Sequence, residues 1–433
     1  MAEKRAWSLK TYRAATGFLK PVANVALKRR VKRGKEDPAR LDERRGKSSV
    51  ARPEGSLLWL HGASVGESLS ILPLIEALSA KHPDLNFLVT TGTVTSAALM
   101  GKRLPASAIH QYVPMDQKHF VREFLDHWQP DAALFVESEL WPVILGECES
   151  RNIPMALING RMSPKSFHNW QSRLGAAKEL LSVFDVMVAQ NEENAERFRV
   201  LSGRHVKTLG NLKHAAEPLP ASPELIGELE ESLGDRRRWL AASTHDGEEL
   251  ITLSAHQEIL SSSPETVLII APRHPARADE IEALCHGMDF VTARRSKGDR
   301  IDPKTQVYLA DTLGELGVFY SISDIAFVGG SFLPVGGHNP LEPARLGCAI
   351  MHGEHVFNFA DTYKEMRKNG CAALVRNERD LAGALGRLLD DPVTRQAMAE
   401  QAKTWADESA ETVLDTLLVA LGPILVRGGI EHP

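Results

Sequence analysis

Two acidic segments and one lysine in the first half of the chain have the residue types and spacing for proton-transfer chemistry. Glu67 lies in Leu60-His61-Gly62-Ala63-Ser64-Val65-Gly66-Glu67-Ser68, between an apolar run and a helical stretch starting near Glu67. Glycines in such a turn let the backbone approach a ligand, and the helix N-terminus that follows offers N–H groups to an anion or oxyanion. A carboxylate there can simply complement the helix dipole, or it can act as general base toward an attacking hydroxyl. Glu137 and Glu139 follow the apolar run Ala132–Val136 in Val136-Glu137-Ser138-Glu139-Leu140-Trp141-Pro142. Acids just past a parallel strand are costly unless solvated, paired or useful. One of the two could orient an acceptor or stabilise positive charge in a transition state, and the spacing does not choose between them. Lys213, in Gly210-Asn211-Leu212-Lys213, could reach a phosphate or carboxylate as a point charge; a solvated lysine is the plainer alternative.

The second half repeats the strand, turn and helix pattern in Ala242-Ser243-Thr244-His245-Asp246-Gly247-Glu248-Glu249, where Ser and Thr also suit an N-cap. Arg273, in Ala271-Pro272-Arg273-His274-Pro275, carries a guanidinium fork suited to phosphate. His245 and His274 lack the HxxxH or HExxH spacing of a metal site, so hydrogen-bonding roles are expected for them and no metal site is expected. The string from Val328 to Pro343, VGGSFLPVGGHNPLEP, places two Gly-Gly pairs ahead of a helix opening near Pro340. That is a candidate cradle for a nucleotide phosphate, with Glu342 placed to accept hydrogen bonds from ribose hydroxyls. A glycine-rich turn with Pro at the first helical position would read the same way.

These segments need a scaffold that brings them together. Short apolar runs alternate with amphipathic stretches from Ser56 onward: Leu57 to Leu60, Asn86 to Thr90, Ala132 to Val136, Met155 to Ile158 and Val186 to Ala189, then Trp239 to Ala242, Val267 to Ile270, Phe290 to Thr292, Val307 to Leu309, Ile325 to Val328 and Ala349 to Met351. This predicts α/β architecture with parallel sheets. The proline-rich stretch Glu217-Pro218-Leu219-Pro220-Ala221-Ser222-Pro223 predicts a linker over 217–224, separating a domain over 51–216 from one over 225–433 that ends in helices from about Asp380 to Leu421. Two such domains would form a cleft, with ligands beyond the carboxyl ends of the strands.

With 433 residues, 43% hydrophobic and 25% charged, the chain excludes disordered, collagen-like and disulfide-scaffold classes. Cys148, Cys285, Cys348 and Cys371 have no CxxC spacing, which fits a reducing compartment. No run approaches the roughly 18 to 20 uninterrupted apolar residues of a membrane span, and the start of the sequence lacks the apolar run and cleavage site of a secretory leader. The net charge of −5 conceals segregation: of 51 Lys and Arg and 56 Asp and Glu, residues 1–50 hold 15 and 5, leaving 36 and 51. Ser8 to Val31 mixes apolar and basic residues around Pro21, so residues 1–50 predict a basic amphipathic arm, its helix interrupted at Pro21, lying on an anionic lipid surface. A solvated helix packed on its own domain is the alternative, and nucleic acid is disfavoured because no recognition motif accompanies the basic residues.

The ordered strings HGASVGES, ESELWP, NGRMS, GNLK, STHDGEE, PRHP, DTLGEL, FVGGSF, GGHNPLEPA and Phe357-Asn358-Phe359, from about Leu57 to Cys371, resemble the 3-deoxy-D-manno-octulosonic acid (Kdo) transferases of lipopolysaccharide biosynthesis. The resemblance implies a GT-B glycosyltransferase fold of two Rossmann-like domains, the first binding acceptor and the second the donor CMP-Kdo. It implies Glu67 as the catalytic base, deprotonating a sugar hydroxyl of a lipid A precursor, and Glu137 and Lys213 as transition-state stabilisers. Pro272 and Arg273, Leu313, Gly314 and Glu315, and Asn339, Pro340, Leu341 and Glu342 match the segments that contact CMP. No cofactor beyond the donor substrate and no metal are implied, and the expected location is the cytoplasmic side of the inner membrane. Where the family commonly has Phe-Asp after GNLK, this chain has His214-Ala215, and its start is basic where family members often carry an apolar anchor, so peripheral attachment is expected. Another GT-B transferase, a sugar epimerase, or an inactive membrane-surface scaffold are the alternatives.

Overall fold

The apolar runs become parallel strands because both faces of each sheet are covered, so side chains pointing either way are buried. The computed structural model describes Tyr12, Thr16 and residues 20–215 and 218–430. The chain divides into two units, Met1–Ala216 with Ala410–Pro433, and Glu217–Ser409. In the first, β1 (Leu57–His61), β2 (Asn86–Thr91), β3 (Ala108–Tyr112), β4 (Ala132–Val136), β5 (Met155–Gly160), β6 (Val186–Ala189) and β7 (Lys207–Thr208) form one sheet in the order β3-β2-β1-β4-β5-β6-β7. Every pairing is parallel. Trp59, Phe135, Phe124 and Trp128 pack on one face, and Leu58, Leu60, Leu134 and Val136 on the other.

The second unit repeats this with β8 (Arg238–Thr244), β9 (Val267–Pro272), β10 (Thr292–Arg294), β11 (Val307–Leu309), β12 (Ile325–Val328), β13 (Ala349–His352) and β14 (Ala372–Leu374), in the order β10-β11-β9-β8-β12-β13-β14. Again all pairings are parallel. In each sheet the direction of strand addition reverses next to the unit's first strand, between β1 and β4 and between β8 and β12. Ligands of open α/β sheets bind at such a switch point.

Three expectations are corrected. The first unit begins well before residue 51: in the helix Lys20–Lys32, Ala23 and Leu27 are buried, and buried Arg44 pairs with buried Glu36 at 2.8 Å while donating to the carbonyls of Val113 and Gly92. Much of the basic segment is thus framework, and Pro21 is the second residue of that helix, where a missing N–H is tolerated. Of the stretch from Ser8 to Leu19, all but Tyr12 and Thr16 lies outside the described residues. The proline-rich linker is shorter than expected, because Ser222 caps a helix over Pro223–Leu233. The terminal helices are divided between the units. Pro392–Arg427 is one long helix whose Val413, Leu417, Leu418, Leu421, Ile424 and Leu425 fill a groove on the first sheet beside Leu58 and Leu134. By length and composition this is also the one described helix apolar enough to cross a membrane, although those six residues are committed to the core.

Candidate functional site

In the first unit, β1 and β4 are paired in a register that sets His61 opposite Phe135, so the loops leaving both strands run side by side. Ser64 caps the short helix Val65–Ser70, its hydroxyl accepting from the Glu67 N–H. The Glu67 carboxylate answers by accepting from the Ser64 hydroxyl at 2.6 Å and the Ala63 N–H at 2.8 Å. This is close to a capping box, so the dipole-complementing role is real. It is not the whole description, because the carboxylate is buried and sits in the field of Glu137 and Glu139. Burial raises its pKa, the two hydrogen bonds oppose the rise, and the neighbouring acids add to it. A carboxylate raised in this way is a stronger base than a solvated one.

Glu137 leaves β4 with φ +58°, a strained conformation for a residue with a side chain. Its carboxylate accepts from Lys213 Nζ at 3.0 Å, with Gln190 at 3.5 Å and Arg161 at 3.9 Å. Lys213 is held on a 3-10 turn, Leu212–Ala215, by burial of Leu212 and by the Leu212 N–H donating to Asn159. Its ammonium passes close over Gly66, one residue from Glu67. Glu67, Glu137 and Lys213 therefore form one cluster, and the lysine is paired rather than solvated. Glu139 is differently engaged: it lies 3.3 Å from His61 Nε2 and accepts from the Trp141 indole at 2.6 Å. Burial opposes its ionisation, but the contacts with His61 and Trp141 outweigh that and leave its pKa below the ordinary value. Glu137 and Glu139 are thus separated by their partners: one faces lysine, the other is tied to its own strand neighbours.

The residues expected at the second site lie at, or within the segments just beyond, the carboxyl ends of β9, β11 and β12 of the second sheet. Pro272 ends β9, and the Arg273 N–H donates to Thr244 at the end of β8, leaving its guanidinium exposed. Leu313, Gly314 and Glu315 follow β11. Leu313 is 80% exposed, and Glu315 is paired with Arg295 at 3.1 Å, which together with Thr312 holds its pKa down against burial. Asn339 to Glu342 follow β12, where Asn339 donates to Glu342 at 3.3 Å and accepts from the Leu341 N–H. Burial pushes the Glu342 pKa up to about 7, against the opposing effects of Asn339 and Arg273. Gly336, at φ +112°, holds a backbone conformation that a residue with a side chain adopts only under strain.

The structure adds residues that the sequence did not single out. His61, Asn159, Arg161 and Gln190 border the first cluster; only the strings HGASVGES and NGRMS pointed near them. Glu248 is fully buried at the switch point of the second sheet, in the first turn of the helix after that sheet's first strand, as Glu67 is in the first unit. It accepts from four backbone N–H groups, those of His245, Gly330, Ser331 and Phe332, at 2.7 to 2.9 Å. No cluster of three or more His, Cys, Asp or Glu poised to hold a metal occurs among the described residues.

Residues 39–216 match the family model described as 3-Deoxy-D-manno-octulosonic-acid transferase (kdotransferase). The probable mitochondrial 3-deoxy-D-manno-octulosonic acid transferase of Arabidopsis thaliana is 34% identical, over 96% of this chain and 96% of that protein. The 3-deoxy-D-manno-octulosonic acid transferases of Rickettsia bellii and Haemophilus influenzae are 34% and 32% identical, over 90% and 88% of this chain and 92% and 90% of theirs. Among solved structures, a putative UDP-N-acetylglucosamine 2-epimerase from Listeria monocytogenes (TM-score 0.58, 15% identity, 84% of this chain and 95% of that one) shares the fold. So does a glycosyltransferase from Rickettsia africae (TM-score 0.58, 13% identity, 86% and 99%). These matches bear out the two-domain α/β GT-B fold, and the chain belongs to the 3-deoxy-D-manno-octulosonic acid transferase family.

Proposed function

We propose that this chain transfers Kdo from CMP-Kdo to a sugar hydroxyl of a lipid A precursor, with Glu67 as general base. The observation that carries the proposal is the position of Glu67: a buried carboxylate of raised pKa at the switch point of the first sheet, beside the Glu137 and Lys213 pair. Loss of CMP leaves positive charge on the sugar ring and negative charge on the departing phosphate. Glu137 is suited to the first and Lys213 to the second, each stabilising charge where it develops. Arg273 and the 313–315 and 339–342 segments bind the CMP moiety of the donor. The phosphate ester is already an activated leaving group, so the step needs no metal Lewis acid. The work is done at the cytoplasmic face of the inner membrane, where exposed Val22 and Val25 on the helix Lys20–Lys32 lie among exposed Lys28, Arg29 and Lys32.

The test is product mass after incubation of CMP-Kdo with a tetra-acylated lipid A precursor. Glu67→Gln should lower kcat by about 100-fold or more, in the range expected for loss of a general base, with the KM for CMP-Kdo little changed. Transfer undiminished in Glu67→Gln would refute the base assignment. Turnover of a UDP-sugar with CMP-Kdo ignored would refute the donor, and activity abolished by a chelator and restored by a divalent cation would refute the metal-independent step.

A further inference from the structure

We propose that His245 and His338 form a proton-sharing pair that takes up one proton when the phosphate of the donor nucleotide binds to the second unit. This rests on the reading of that unit as the CMP site. The two Nε2 atoms are 2.9 Å apart, with ring planes 7° from parallel and centroids separated by 5.2 Å. That centroid separation is about the largest an Nε2 contact of this length allows, so the rings meet head to head in one plane instead of stacking face to face. Two neutral imidazoles can make this contact only if one donates N–H and the other accepts with its lone pair. One proton therefore lies between them, and both Nδ1 atoms point outward. Neither Nδ1 has a hydrogen-bond partner among the described residues.

The pair spans the place where a ligand of this sheet is expected. His245 directly follows β8, and His338 lies on the loop that follows β12, so their contact bridges the two strands of the switch point. Buried Glu248 clamps the two loops together, accepting from the His245 N–H on one side and from Gly330, Ser331 and Phe332 on the other. A Cβ on Gly330 would lie 3.1 Å from the His338 ring and 3.5 Å from that of His245, so the glycine lets the rings rest against the backbone. The pair is preorganised, and its outward nitrogens share their surroundings with Arg273 and His274 from the end of β9, the His274 ring centroid lying 5.7 Å from that of His245.

The charged and titratable groups facing the pair come from several elements. Glu248 and Glu249 lie on the helix after His245, with Glu249 neutralised by Arg277 at 2.8 Å. Asp246 is also bound by Arg277, and Tyr363 donates to the His338 carbonyl. Arg273 and His274 complete the set. Burial, with His245, Arg273 and His274 adding to it, holds the His338 pKa down to about 4, and burial likewise lowers that of His245. Without a ligand the pair is therefore neutral near pH 7. A bound phosphate reverses the local charge and favours protonation of the bare Nδ1, on the ring that donates through Nε2. The proton comes from solvent, and the resulting imidazolium pair presents an N–H at each Nδ1 to the anion. When CMP leaves, the proton returns to solvent.

The sign follows from linkage. A group whose pKa is raised by the ligand strengthens binding below that raised pKa, and the gain is lost as pH rises through it. The experiment is calorimetric titration of the full chain with CMP, in two buffers of different ionisation heat, from pH 6 to 8.5, alongside the imidazole 15N shifts of His245 and His338. The expected result is uptake approaching about one proton beyond the known contribution of CMP itself, with affinity falling by up to about tenfold per pH unit. Ring shifts should move from the neutral toward the imidazolium pattern on binding. His245→Gln and His338→Gln should each abolish the extra uptake and weaken CMP roughly tenfold or more at pH 6, and far less at pH 8.5. CMP bound by the wild-type chain with no extra proton and unchanged ring shifts would overturn the pair's role, with no variant needed. CMP not bound at any pH would overturn the donor-site reading, and the proposal with it.

Discussion

Glu67 and Glu248 each lie in the first turn of the helix that follows the first strand of their sheet, yet their hydrogen bonding sets them apart. Glu248 accepts four backbone N–H groups, which uses the lone-pair directions of an ionised carboxylate. Nothing remains for it to accept from a substrate, and its duty is to fasten loops. Glu67 accepts two, from Ala63 and Ser64, and is otherwise disfavoured as an anion by burial and by Glu137 and Glu139. Opposite stability effects follow from the same substitution. A group whose folded pKa is raised loses stability as pH rises from the ordinary carboxylate range through the folded value, so Glu67→Gln should raise the melting temperature at pH 8 and leave it nearly unchanged at pH 4. Glu248→Gln turns an amide NH2 toward backbone donors inside a buried site, and should cost about 3 kcal/mol or more. Denaturant titration of both variants at pH 4 and pH 8 checks the pair. A destabilised Glu67→Gln at pH 8 would mean that the residue is primarily a cap. The same logic makes Glu342, with its pKa raised from the ordinary 4.5 to about 7, a second group whose replacement by Gln should stabilise increasingly between those two values and by a constant amount above them.

At the scale of elements, what could be read from the sequence depends on where a strand lies in its sheet. β1, β4, β5, β6, β11 and β12 are interior and covered on both faces, and their residues form the apolar runs that predicted them. The strands that escaped detection, β3, β7 and β14, are all edges, and β10, the remaining edge, was expected at Phe290 to Thr292 but is formed by Thr292–Arg294. An edge strand breaks the apolar run for different reasons: Lys207–Thr208 is exposed, whereas Ala108–Tyr112 carries His110 and a buried Gln111 that accepts from the Trp128 indole. Candidate site residues that end interior strands, such as Glu137, were visible for the same reason. Those that enter from another strand's loop, such as Gln190, Arg161 and Glu248, needed the fold. The terminal helix was expected, but the unit that its end serves was not, because its apolar residues look alike whichever unit they pack on. Leu421 is fully buried in the core of the first unit. Leu421→Ala should cost about 2 to 5 kcal/mol, and hydrogen exchange should show the loss in β1 and β4 while β8 and β12 stay protected. Loss of protection confined to the second unit would contradict this assignment.

At the scale of the whole molecule, the charge asymmetry of the sequence has two physical sources that a count cannot separate. Arg40, Arg44 and Arg45 are spent on Glu43, Glu36 and Asp42, and Arg44 is buried besides. These arginines are framework and contribute little to an outward field. Lys28, Arg29, Lys32, Arg33 and Lys35 are exposed, with Val22 and Val25 exposed at 59% and 50% on the same helix as the first three. Cations beside protruding apolar side chains suit an anionic bilayer surface, each basic residue near it contributing on the order of 1 kcal/mol. Deleting residues 1–50 would be a poor test, because it removes the Arg44 and Glu36 pair along with the exposed cations. Reversing Lys28, Arg29 and Lys32 together to Glu should instead weaken binding to vesicles rich in anionic phospholipid by about 100-fold or more, with the wild-type affinity falling as salt screens it. Arg44→Ala should do the opposite, lowering the melting temperature while leaving the vesicle affinity of the folded protein nearly intact. Co-sedimentation at two salt concentrations, beside a thermal melt of each variant, separates the two sources. Vesicle binding unchanged by the triple reversal would remove this helix as the point of membrane attachment.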